Sequence, residues 1–431
     1  MVRSHQVGLA VGCLLALLAF ASPLRAQEER PLTLHEAIAL ALKQNPELNV
    51  ERRALDVAQG ELLQARIYPF NPELNVEPGF GRGRAFENGE ARFTRHVQIN
   101  LSQTVELKGQ WGLRIRRATT NLEQVDWSVR DAERLVLARV ARAFNEVLIA
   151  QERLKFAGEI VALNQELLRI AKELFEAGAV PRLDVLRAEV ELRRAMNQQT
   201  AEARQLETAK KELALLLGQP PGFVIQVVGP LLYSPRETDL DRLRTLAFES
   251  RQDLKAAEAG VRVAEAELAL VRAERVFPAI NVSAGYAEDR EADSQDRHFI
   301  LSLAIPLPLI NRKQGDLVSA SAERERQAAA VDLTRARIEK EIRQAFDRFA
   351  LSQKIVEEFV KRILPEQEEN FKLVREGYEL GQFRLTDVLV AQREFTEGRL
   401  GYLGAIGEFN TAVADLEEAV GVTLIEPGRK P

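Results

Sequence analysis

The sequence predicts a mainly α-helical chain with a membrane β part, and three observations predict it. One half-unit occurs twice. Each copy carries an apolar stripe long enough for a helical arm that outruns any ordinary domain, and each inserts a pair of alternating strands at the same place between helices.

The duplication organises the rest. Residues 174–188, LFEAGAVPRLDVLRA, recur as 377–391, GYELGQFRLTDVLVA, so that Gly178, Asp184, Val185, Leu186 and Ala188 match Gly381, Asp387, Val388, Leu389 and Ala391 at an offset of 203 residues. Upstream, Leu48, Val57, Glu61, Pro72, Asn75 and Gly79 match Leu254, Val263, Glu267, Pro278, Asn281 and Gly285 at an offset of 206, and Gly112 and Gly218 match Gly315 and Gly421 at 203 again. The organisation expected is a signal peptide over 1–26, a first repeat over 27–235, a second over 236–425 and a C-terminal tail over 426–431.

Within each repeat the elements follow one order. A helix opens the first copy from about Thr33 to Ala65 and the second from about Leu240 to Glu274. Two strands follow, near Glu73 to Gly81 and Thr94 to Val105, then near Ile280 to Ala287 and His298 to Ile305. In the second of these, His96, Gln98, Asn100, Ser102 and Thr104 alternate with Val97, Ile99 and Leu101, which gives one polar and one apolar face. The segments Gly83 to Glu90 and Glu288 to Asp296 are polar and read as surface loops.

A very long helix is expected from about Leu113 to Glu176. Its apolar positions at Leu122, Val125, Val129, Ala132, Val136, Val140, Ala143, Val147 and Leu154 mostly recur every three or four residues, and no proline falls between Pro78 and Pro181. It turns back near Gly178 into a return arm from about Asp184 to Leu217. The later pair runs from about Asp316 to Glu376, with a kink at Pro365, and from about Asp387 to Val420. An arm of about 64 residues spans on the order of 95 Å. Such arms bury their stripes only against each other or against neighbouring chains.

The chain has 431 residues, 46% hydrophobic and 29% charged, with a net charge of -5 and no basic stripe, which excludes nucleic acid as a partner. Arg3, the apolar run Val7 to Ala21 and the small residues before Ala26 read as an export signal cleaved after Ala26. Cys13, the single cysteine, lies inside that run; lipidation there is the alternative to plain cleavage, and it would leave an apolar stretch at the mature end. No later stretch approaches the roughly 18 apolar residues of a spanning helix. Any membrane part is therefore a β-barrel, and about four strands per chain cannot close one, since an open edge is forbidden in lipid. Association is required.

Signal, duplicated halves, two hairpins and paired long arms, with Gly178 to Ala188 and Gly381 to Ala391 as helix-turn-helix signatures, resemble the TolC outer-membrane efflux family over essentially the whole mature chain. The segments 101–109, LSQTVELKG, and 308–315, PLINRKQG, look most like its CzcC-type heavy-metal branch. The resemblance implies a homotrimer whose strands form a 12-stranded β-barrel in outer-membrane lipid, continued by an α-helical barrel into the periplasm. It also implies docking with a periplasmic adaptor (membrane fusion) protein and, through it, with an inner-membrane pump. The function implied is a passive exit duct for small solutes, with heavy-metal cations as candidate cargo.

By position, Gly178 and Gly381 become adaptor-contact sites, and Asp184 and Asp387 line the periplasmic entrance constriction. Phe383 and Val390 stand where family members carry a latch arginine and a second acid, so Tyr378, Arg182 and Arg384 are left to contribute to a different latch. The local alternatives are plain ones. Both glycines suit a left-handed helix C-terminus, and both aspartates suit the first turn of the return helix.

His5, His35, His96 and His298 are scattered, and Met1 and Met196 are the only methionines, so neither a metal site nor a cofactor is expected. No nucleophile elbow, phosphate-binding loop or HExxH pattern occurs, and the carboxylates are dispersed over helix faces among Arg and Lys, which argues against an enzyme. Two rival readings remain open at this level: a periplasmic coiled-coil adaptor or scaffold, and a protein-secretion duct. An adaptor would place one helical hairpin inside β-domains, whereas here β-hairpins stand between helices, twice.

Overall fold

The computed structural model describes residues 31–84, 91–220, 223, 225–231, 233, 238–276, 279–291 and 294–422. The expected signal, with Cys13, and the expected tail lie outside these residues, as does most of the expected loop 83–90. The described chain is mainly helical, with four strands.

The opening helix expected over Thr33 to Ala65 is two helices, α1 (Leu34–Gln44) and α2 (Pro46–Arg66). Thr33 and Glu36 close a capping box on α1, each side chain accepting from the other's backbone N–H. The break comes at Asn45, whose φ of -59° and ψ of 125° are the extended backbone that a following proline imposes. Asn45 is buried and occupied twice: its Oδ1 accepts from Leu48 N at 3.0 Å and its Nδ2 donates to Leu216 O at 2.8 Å.

The second half repeats this break without a proline. The helix expected over Leu240 to Glu274 is α5 (Leu240–Ser250) and α6 (Gln252–Val276), parted at Arg251. Arg251 is the equivalent of Asn45 at the offset of 206, and its Nη1 donates to Ala419 O at 3.0 Å, the equivalent of Leu216 O at the offset of 203. A helix leaves its last carbonyls without donors of its own. In both halves a buried side chain at the break supplies one, and so ties the opening helices to the end of the return arm.

After each break and its second helix comes a pair of strands, β1 (Glu73–Arg84) and β2 (Ala91–Val105), then β3 (Ile280–Arg290) and β4 (Gln295–Ala304), in one antiparallel sheet of order β1-β2-β3-β4. All but the last reach further than expected, and β4 begins earlier but stops one residue short. The loop expected over Glu288 to Asp296 shrinks to Glu291–Ser294, where Glu291 N donates to Ser294 O at 2.9 Å, because its polar residues keep the alternation and pair. Pairing of β2 with β3 makes the two hairpins one sheet. Below it, Tyr68 OH accepts from Glu106 N and donates to Thr104 O, and Trp111 Nε1 donates to Ala65 O, which pins the sheet to the helices.

The arms are α3 (Gln110–Glu176) with α4 (Arg182–Leu216), and α7 (Gln314–Glu358) with α8 (Leu364–Glu379) and α9 (Leu385–Val420). At 67 residues α3 is about 100 Å long. Val129, Val136, Val140 and Val147 of its stripe are buried, and the other expected positions are half-buried. A π-helical turn at Phe359–Ile363 separates α7 from α8 where the kink was expected; Pro365 sits in the first turn of α8 and has no N–H to continue the ladder.

Four apolar cores follow. One surrounds Leu48, Val140, Phe144 and Leu213 in the first half. Its counterpart surrounds Leu254, Ile338, Ile342 and Leu416 in the second. The third, around Leu167, Ala188, Phe371, Tyr378, Leu385 and Val388, is shared by α3, α4, α8 and α9 at the far end of the arms, and a small fourth joins Leu268 and Val271 of α6 to Ala320 of α7.

Arg251 is only 2% exposed, and its guanidinium is bonded to Asp253 at 2.7 Å and Glu341 at 2.8 Å. Burial opposes its charge, but the two carboxylates outweigh that and hold its pKa above the usual arginine value. Arg251→Met should therefore cost about 3 kcal/mol of stability, because it strands two partly buried carboxylates and Ala419 O together. Asn45→Ala should cost about 2 kcal/mol for the lost cap and the orphaned Leu216 O. Denaturant unfolding in detergent measures both; losses below about 0.5 kcal/mol would refute the role given to the two breaks.

Candidate channel wall and helical tips

The sheet has two chemically different faces, and the pairing register assigns them. Leu74, Leu101, Ala284 and Leu301 form one rung of a face on which Val76, Ile99, Tyr286 and Phe299 form the next. These side chains cover no core in the single chain: Leu74, Phe299 and Leu301 are 66%, 90% and 81% exposed. Tyr286 and Phe299 meet edge to face at 5.8 Å between centroids. From Val105 to Ile99 the face extends about 20 Å along the strand, apolar but for Gln103, of the order of the outward apolar band of an outer-membrane barrel.

The other face is polar. It carries Glu73 and Glu77 of β1, His96 and Asn100 of β2, Asp289 of β3 and Asp296 and His298 of β4. His96 Nδ1 lies 2.5 Å from Asp289 Oδ1, so one histidine singled out in the sequence is engaged with a carboxylate. His298 stands opposite Ala287 on the same face. Among the described residues no three metal-ligating side chains gather. No helix among them is long and apolar enough to cross a membrane.

At the far end of the arms the two turns have the same backbone. Gly178 has φ 73° and Gly381 φ 72°. In each, the N–H after the glycine reaches back five residues, Ala179 N to Leu174 O at 2.8 Å and Gln382 N to Gly377 O at 2.7 Å, which is the Schellman closure. A Cβ at either glycine would meet nothing within 4 Å, so both positions face open space.

The remaining expected site residues divide. Asp184 is half-buried in the first turn of α4, 3.6 Å from Arg187 Nη1. Asp387 accepts from Arg384 N at 3.0 Å, the first-turn carboxylate role that the sequence allowed. Arg182 and Arg384 are exposed, and neither guanidinium pairs with Asp184 or Asp387. Tyr378 is not at a surface in this chain. It is 1% exposed in the tip core with no partner for its hydroxyl, and burial, followed by the charge of Asp184, raises its pKa.

One tip contact was not foreseen. A Cβ on Gly377 would fall 2.3 Å from Phe383 Cδ2, so the Phe383 ring occupies the space a side chain at 377 would need. The first tip has Leu174 and Val180 at the equivalent positions. The pair has exchanged volume, and that compensation between repeats was the readable signal.

A family model described as outer membrane efflux protein matches residues 37–219 and 243–422. The cobalt-zinc-cadmium resistance protein CzcC of Cupriavidus metallidurans is 27% identical over 391 residues, 91% of this chain and 90% of its own length. The nickel-cobalt-cadmium resistance protein NccC of Alcaligenes xylosoxydans xylosoxydans is 24% identical over 346 residues, 80% of this chain and 76% of its own. Among solved structures, a CusC structure, described in terms of folding and transmembrane channel formation, superposes with a TM-score of 0.71 at 19% identity, covering 90% of this chain and 92% of that one.

Gly377→Ala should displace Phe383 from the second tip, whereas Gly178→Ala meets open space and bears only the left-handed backbone strain of about 1 kcal/mol. Limited proteolysis of the tips reads the difference. Equal cleavage in the two variants would refute the packing role of Phe383.

Proposed function

The chain belongs to the outer membrane efflux protein family and is an outer-membrane efflux channel, a passive duct and not an enzyme; we propose that three copies form it and that it discharges metal cations. The observation that carries the trimer is the four-stranded sheet, apolar outward and polar inward, with β1 and β4 left as open edges. Three such sheets joined edge to edge supply twelve strands, above the roughly eight that close a membrane barrel. The long arms continue it as a helical barrel in the periplasm, the side of the membrane where most of the mass lies. The two repeats, 27–235 and 236–425, each contribute one hairpin and one pair of arms.

The cargo reading rests on the inward charges. Glu73, Glu77, Asp289 and Asp296 face inward, a set that favours cations without assembling a tight site. Both relatives described above are named as resistance proteins against divalent metals. A duct must let its cargo leave, so dispersed carboxylates suit it better than a chelating cluster.

The tips are the proposed meeting point with a periplasmic adaptor protein, which links the duct to an inner-membrane pump. Gly178 and Gly381 present bare backbone to the periplasm, and an adaptor hairpin can approach there closely. Asp184, Asp387, Arg182 and Arg384 surround the entrance constriction, with Tyr378 beneath them in the tip core. No Arg-to-Asp latch crosses between the two turns in this chain, and the packing of Phe383 takes its place.

Deletion strains grown against cobalt, zinc, cadmium, drugs and secreted substrates test the cargo. Sensitivity confined to the metals is expected; normal growth on every metal would refute it. Membrane fractionation with mild SDS electrophoresis tests the assembly, and a soluble monomer would refute the duct itself. Gly381→Leu should weaken adaptor cross-linking more than trimer recovery, and equal loss of both would reduce Gly381 to a capping residue.

A further inference from the structure

The outward face of the sheet does not end on apolar residues. Beyond the rung of Val76, Ile99, Tyr286 and Phe299 comes Val97 with Glu288 and Arg297, and beyond that Phe80 with Arg95, Arg290 and Gln295. Arg95, Arg290 and Arg297 are all exposed. They stand at the end of the strands away from the helices, next to the Tyr286–Phe299 pair that caps the apolar band. The helix-proximal end of the same face carries Gln103, Val105, Ile280, Val282 and Leu303, with no basic residue.

Glu288 is the single carboxylate in those two outer rungs, and it is already engaged. It accepts from Gln295 Nε2 and, at 3.3 Å, from Tyr286 OH, and it lies 3.7 Å from Arg297 Nε. Arg95 and Arg290 pair directly across β2 and β3; Glu288 feels the charge of Arg290, but among the described residues neither arginine makes a hydrogen bond or a close ion pair with a carboxylate. Like charges directly opposite one another on a sheet destabilise it. A chain that keeps two such guanidiniums beside an apolar band, while its carboxylates Asp289 and Asp296 point to the other face, holds them for a charge outside the protein.

We propose that Arg95, Arg290 and Arg297 form a docking site for the phosphate of a lipid headgroup in the outer leaflet. The inference rests on the membrane reading of the sheet given above. In a bilayer the phosphate plane lies just beyond the hydrocarbon, one or two rungs past the last apolar side chains, which is where these three stand. Planar guanidiniums bind phosphate oxygens in pairs, and they hold their charge at any pH the cell meets. The leaflet is the outer one, because the helices at the opposite end of the strands hang in the periplasm.

The test uses the full chain, purified as its assembly in dodecyl maltoside, loaded with diphosphoryl lipid A or with the same lipid lacking both phosphates. Mass spectrometry of the lipid retained through gel filtration should show about tenfold more of the phosphorylated form. Arg95→Gln with Arg290→Gln should abolish that preference, while Arg95→Lys with Arg290→Lys keeps part of it. Equal retention by wild type and the Gln pair would overturn the site, and so would displacement of the lipid by equimolar inorganic phosphate, which would mark a free-anion site. Recovery of the chain outside the outer membrane would instead overturn the membrane reading beneath it, so the two failures are separable. Removal of two opposed like charges should not unfold the sheet, and an unchanged heat-modified mobility in SDS confirms it.

Discussion

Every N–H and C=O that enters a bilayer must be paired by the protein, and in this chain the two edges of a four-stranded sheet are not. That constraint organises the molecule. It leaves the single chain incomplete in lipid, and in the proposed trimer β1 of one copy pairs with β4 of another. In that assembly it also sets the spacing of the helices that descend from the strands, since each hairpin delivers its arms to the same ring. The exposed apolar face of the sheet and the long arms are not separate oddities. In the proposed trimer they are two parts of one assembly.

Charge follows the same division. The carboxylates of β3 and β4 at Asp289 and Asp296 point one way, and the guanidiniums at Arg290 and Arg297 point the other, although they are neighbours in sequence. A strand turns successive side chains to opposite faces, so a one-residue step separates the aqueous lumen from the lipid surface. A slip of one residue in the β2 and β3 pairing would bring acids to lipid and leucines to water. The wide polar face and the mainly apolar opposite face together specify the register.

Much of this was legible in the sequence because it repeats. Two copies of an element constrain its bounds better than one, and the arms, the hairpins and the left-handed glycines at 178 and 381 all follow from matched residues. The helix breaks were not legible in the same way. At Asn45 the following proline gives a local signal, but at Arg251 the break depends on a carbonyl of Ala419 and a carboxylate of Glu341, both distant in sequence. The outward arginines were missed for a related reason. Their meaning comes from the register that aligns Arg95 with Arg290, which no single strand reveals. Burial of Tyr378 likewise comes from a core shared by four arms and not from its neighbours in the chain.

The divergence of the tips bears on how the two turns are held together. An ionic latch between turns weakens with salt and with protonation of its acid. Here the tip is held by apolar packing, with Phe383 laid on Gly377 and Tyr378 sunk among Leu385, Val388 and Phe371, and the aspartates satisfy their own helix turns or a neighbouring arginine. Contacts of that kind carry no charge for salt to screen. In the proposed metal duct such packing gives a closure that the cargo does not screen, and the proposed adaptor would open it by prying the helices apart. The unpartnered hydroxyl of Tyr378 fits this account, because opening the tip would return that hydroxyl to water and offset part of the lost packing.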